Sequence, residues 1–143
     1  MRTLLLLCFV GIALSFTFPA DCNPSKVYAN KKQTQWDDRF STYEKISGVP
    51  KFKGGDKSLE TFLRKNLVLS KEAQNNIFNL NYQFTVTCEG KVVDARQIGD
   101  AKMNSWTNFK EAIQKTEGLW QPAKHQGEAV NCVYFGKLFI KGS

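Results

Sequence analysis

Four cysteines and a single histidine are the residues of this chain whose types could do chemistry. Cys8, Cys22, Cys88 and Cys132 are not in CxxC spacing, and one histidine cannot complete a tetrahedral zinc site with them. His125 lies in the turn from Pro122 to Gly127 with no neighbour marking it as a base or ligand, so it reads as a loop histidine. Glu111 and Glu117 fall on a helical stretch with lysines nearby, the pattern of a solvated face. No phosphate-cradling loop, nucleophile elbow or dinucleotide fingerprint occurs. Trp106 and Trp120 read as core side chains rather than ligand platforms. These residues predict no catalytic site, no metal and no cofactor. Disulfide formation remains, and that requires an oxidising compartment.

The N-terminus points to such a compartment. Met1-Arg2 precedes a run from Leu4 to Phe16 that is apolar apart from Ser15. Its length suits a signal peptide and is short for a membrane span. Residues 1–29 therefore read as leader and c-region. Cleavage after Ala20 places Phe18 at the minus-three position, whereas Val27-Tyr28-Ala29 fits the small-residue preference better. An uncleaved inner-membrane signal anchor is the alternative. Asp21 before Cys22 argues against a lipid anchor. Cleavage after Ala29 leaves Cys88 and Cys132 as an even pair; cleavage after Ala20 leaves three cysteines.

The 143 residues leave room for one small domain and a short extension. The net charge of +7 is spread along the chain, with Lys31-Lys32 and Arg64-Lys65 its only basic doublets. No nucleic-acid motif accompanies it, so it reads as a soluble surface. Residues 30–51 form the extension. Trp36, Phe40, Tyr43 and Ile46 share a helical face there, with Thr34 as cap and Gly48-Val49-Pro50 as stop.

From Asp56 a helical stripe runs through Leu59, Phe62, Leu63 and Leu67. Ser70 caps a second helix expected to reach Phe78, with Ala73 and Ile77 inside. Leu80, Tyr82, Phe84, Val86 and Cys88 then alternate with polar residues, which predicts a strand. Glu89-Gly90 turns the chain into a second strand, Lys91 to Ile98. Trp106, Phe109 and Ile113 line a third helix that Gly118 ends. The last strand spans about Glu128 to Ile140, with Val130, Cys132, Tyr134, Leu138 and Ile140 on one face. Its other face carries Asn131, Val133, Phe135, Lys137 and Phe139.

In order, Phe52, Gly54, Gly55, Asn66-Leu67, Glu72-Ala73, Phe84, Gly90, Trp120, Pro122, Gly127 and Val130 form a series with characteristic spacing. The series resembles the C-terminal domain of TonB, in its Bacteroidetes-type form, over Phe52 to Ile140. Ser70 stands where that family usually has proline, Asn79 where it has glycine, and Lys137 where proline is frequent. The resemblance implies a non-catalytic periplasmic domain, residues 52–143, that binds an extended peptide of an envelope partner such as a TonB-dependent outer-membrane transporter. Only about thirty residues, ~100 Å at full extension, separate leader and domain, which is short for a force-transmitting arm.

The expected fold is α+β, with helices on one face of a three-stranded antiparallel sheet in the order two-one-three. The third strand is then an edge, and the expected partner site is Asn131, Val133, Phe135, Lys137 and Phe139. The same edge offers a route to a homodimer. The apolar side chains Val133, Phe135 and Phe139 meet either a partner or the helix of Trp36, Phe40 and Tyr43. The end of the first strand lies beside the start of the third in this arrangement, so a Cys88–Cys132 disulfide is expected. No nucleic acid and no small-molecule substrate are expected. A secreted structural or inhibitory domain reusing the fold is the alternative function.

Overall fold

Phe78, Leu80, Tyr82, Phe84 and Val86 are buried on one face of a strand that begins before Leu80, at Ile77. A computed structural model describes Cys22, residues 25–32 and residues 42–142. In chain order its elements are β1 (Val27–Asn30), β2 (Glu44–Ile46), β3 (Lys51–Phe52), α1 (Asp56–Asn66), α2 (Lys71–Gln74), β4 (Ile77–Val86) and β5 (Val92–Ile98). A 3-10 turn (Ala101–Ser105), α3 (Phe109–Gln114), β6 (Trp120–Gln121), β7 (Ala123–His125) and β8 (Glu128–Lys141) follow.

The local signals act as their chemistry dictates. The Ser70 hydroxyl accepts from the Ala73 N–H at 3.2 Å and starts α2. The helix stops at Gln74 rather than Phe78, because the β-branched Ile77 and the aromatic Phe78 join the sheet. Gly90, at φ +79°, closes the β4–β5 turn by donating to the Thr87 carbonyl at 2.8 Å. The third helix is shorter than its apolar spacing implied. Trp106 follows the 3-10 turn, and α3 begins at Phe109.

The sheet overturns the expected fold class. Among the described residues it has six strands and is mixed, in the order β2-β1-β8-β4-β5, with β7 also paired to β8. The three strands expected from the sequence, β5, β4 and β8, do lie side by side with β4 in the middle, and both pairings are antiparallel. Of the added strands, β2 comes from the segment expected to be a helical extension, β1 from the end of the segment expected to be leader and c-region, and β7 from the turn around His125. β1 pairs parallel with β8 on one side and parallel with β2 on the other. Ile46 therefore sits in a strand, and Thr34, Trp36 and Phe40 lie outside the described residues. A separate two-stranded ribbon pairs β3 with β6.

Side chains of α1, α2 and α3 (Leu59, Leu63, Ala73, Phe109, Ala112 and Ile113) form one cluster with the buried face of β4, Tyr134, Leu138 and Ile140. Trp120 enters this core with its polar atom satisfied, since its indole N–H donates to the Thr116 hydroxyl at 2.9 Å. Tyr82 lies across Gly136, its cross-strand partner, where any Cβ would clash with the hydroxyl end of the ring. A second, smaller cluster joins Tyr28, Ile46, Ala123 and Cys132.

Candidate functional site

β8 carries every residue expected to meet a partner, and its two ends differ. At its start the edge is filled. Asn131 and Val133 pair with Val27 and Ala29 of β1, and only 5% and 4% of their surfaces are exposed. Asn131 is a clamp rather than a contact residue. Its side-chain oxygen accepts from the Cys88 N–H at 2.9 Å, and its amide donates to the Lys26 carbonyl at 3.3 Å. Phe135 lies opposite Gln83 and is half-buried.

Beyond Phe135 the strand opens. From Gly136 to Lys141, β4 pairs with one side of β8, and among the described residues no strand pairs with the other. Lys137, Phe139 and Lys141 share the face turned away from the helices. Phe139 is 54% exposed there. Neither lysine joins an ion pair among the described residues. The helical spacing from Ala73 places Ile77 inside a helix, yet it belongs to this face and is 64% exposed. It pairs with Lys141, diagonally beside Phe139. Extending the period-two alternation three residues back from Leu80 would have placed it.

The other sheet edges are poorer templates. β5 is interrupted opposite Phe84, where the register with β4 shifts and Asp94 takes φ +54°. β2 has three residues.

The expected Cys88–Cys132 bond is replaced by another. Cys88 is bonded to Cys22, and Cys132 is a buried free thiol. The register explains the difference: Cys132 stands opposite Val86, while Cys88 lies beyond the end of β4. The bond closes a separation of 66 residues and is worth about 4 kcal/mol in the chain-entropy model. A disulfide fits an extracytoplasmic location. Burial pushes the Cys132 thiol up to about 12, against a smaller lowering by the Asn30 backbone. Such a thiol is unreactive. Among the described residues no helix is long and apolar enough to cross a membrane.

Cleavage after Ala29 conflicts with this arrangement. Ala29 is in the middle of β1, 2% exposed and paired on both sides. Cutting there would remove Cys22 and most of the strand. Ala20 lies outside the described residues.

An open groove of ≈ 730 Å³ is lined by the β3–β6 ribbon, Gly54, Gly55, Asp56 and Tyr134. The Tyr134 hydroxyl donates to Asp56 at 3.2 Å. Burial first, then the charges around it, raise the Tyr134 pKa above the ordinary phenol range. A phenol held protonated beside an acceptor is a structural bond, not a base. His125 ends β7, its ring 5.1 Å from that of Tyr28. No group of three or more His, Cys, Asp or Glu residues among those described could hold a metal ion. No protein-family model matches the chain, and no curated protein or solved structure is significantly similar to it.

Proposed function

We propose that this is an exported, non-catalytic protein-binding domain. It takes an extended peptide of an envelope partner, such as a TonB-dependent transporter, along β8 from Gly136 to Lys141. The supporting observation is Phe139, a large apolar side chain left exposed on the strand segment whose outer side has no strand partner among the described residues. Main-chain hydrogen bonds would supply the grip, and Phe139 with Ile77 would select the side chains that face them. The site is thus the distal half of the edge that the TonB resemblance indicates; the proximal half holds β1.

Export with cleavage after Ala20 is part of this reading. It keeps Cys22 and β1 in the mature chain. Self-pairing through β8 is disfavoured, because an antiparallel β8–β8 contact centred on Phe139 would set Lys137 of each copy opposite Lys141 of the other.

The test starts from a partner captured out of envelope extract, with its extended segment made as a peptide. Phe139→Lys should weaken binding by about tenfold through lost apolar contact, while circular dichroism stays that of the wild type. Unchanged affinity in the folded variant would move the site elsewhere, with the groove at Phe52 and Trp120 the next candidate.

A further inference from the structure

β1 lies where a bound peptide would lie. Among the described residues it pairs with Asn131, Cys132 and Val133 in a ladder of three residue pairs. With β2 it forms a unit apart from the main core. Tyr28 and Ile46 pack on Ala123 and Cys132, in a cluster distinct from the one beneath the helices. Asn30 closes the unit on itself, its amide donating to the Ser47 and Gly48 carbonyls at 3.1 and 2.7 Å. The covalent fastening is Cys22–Cys88, which joins the residues before β1 to the β4–β5 turn. Asn131 contributes a hydrogen bond to the Lys26 carbonyl.

We propose that β1 and β2 form a strap locked across β8 by the Cys22–Cys88 bond, and that a dithiol reductant releases it and uncovers Asn131–Val133. The chemistry is thiol–disulfide exchange. Cys22 is partly exposed and Cys88 buried, so a reductant thiolate attacks Cys22 Sγ and expels Cys88 as a thiolate that takes up a proton. The reductant's second thiolate resolves the mixed disulfide. Two protein thiols and one oxidised dithiol result.

Release would lengthen the docking edge from Gly136–Lys141 to Asn131–Lys141, and to that extent its use rests on the proposed function. The release itself does not. Three residue pairs and a small cluster open far more easily than the β4–β8 ladder of ten pairs, so local opening precedes global unfolding.

Cys132 reports the event. It is 0% exposed in the cluster with Tyr28 and Ile46, and it becomes reachable when they leave. The full exported chain is compared with a Cys22→Ser, Cys88→Ser double variant, and separately with wild type treated with dithiothreitol. Iodoacetamide labelling of Cys132 is followed by mass spectrometry, with hydrogen exchange read on the same samples. The expected result is labelling at least about tenfold faster in the variant and in reduced wild type, with exchange faster at 27–30 but not in α1 or β4. Unchanged Cys132 labelling overturns the strap, and so does labelling that rises only together with lost protection in α1 and β4. Failure of any partner peptide to bind either form would count against the proposed function and leave the strap standing.

Discussion

Tyr82 and Gly136 meet across β4 and β8, and that contact sets a limit on what position 136 tolerates. A Cβ there would clash with the hydroxyl end of the Tyr82 ring, so Gly136→Ala must displace Tyr82 or spread the strands. The expected cost is about 1–3 kcal/mol, read as a lower urea midpoint at unchanged m-value. Cys132 makes a second prediction at this scale. Its folded-state pKa, about 12, stands above the ordinary 9.0 because burial disfavours the thiolate. The folded state therefore holds the proton more tightly than the unfolded one. This contribution is complete below pH 9.0 and is lost as pH rises toward about 12, with a slope of at most about 1.4 kcal/mol per pH unit. Tyr82 and Tyr134, raised mainly by burial, add loss of the same sign above pH 10.0. In oxidised protein, urea midpoints should fall from pH 9 to 10, and Cys132→Ala should flatten that interval. An equal slope in both proteins would contradict the assignment.

At the scale of elements, the parts held together by short-range chemistry were legible. Ser70 caps α2 because its hydroxyl reaches the Ala73 N–H, and Ser70→Ala should cost about 1 kcal/mol in chemical denaturation. The alternation through Phe84 and the glycine turn at Gly90 placed β4 and β5 for the same local reasons. Long-range pairing was not legible. β1 and β2 have four and three residues, too few to display a period. Tyr43 and Ile46 matched helical spacing by coincidence, since three residues apart also places a strand residue after a bend. β3 and β6 have two residues each and exist because Phe52 and Trp120 pack together, ring centroids 5.3 Å apart. The disulfide partner of Cys88 turned on register. Cys88 lies past the end of β4, so its side chain does not follow the alternation that seemed to aim it at Cys132.

For the molecule as a whole, the exposure of the candidate edge was half legible. Lys137 and Phe139 stand exposed on β8 as their alternation implied, whereas Asn131 and Val133 are buried under pairing with β1. Parallel addition of the chain's own strand leaves no local mark, because it joins residues about a hundred positions apart, Val27–Ala29 to Asn131–Val133. The central claim is that the outer side of β8 from Gly136 to Lys141 receives an extended peptide. The most direct measurement is amide hydrogen exchange of the oxidised full chain, with and without the captured partner's peptide. Slowed exchange confined to 136–141 and its β4 neighbours is the result this account predicts. Protection that leaves 136–141 unchanged and falls instead on 49–56 and 118–121 would contradict it.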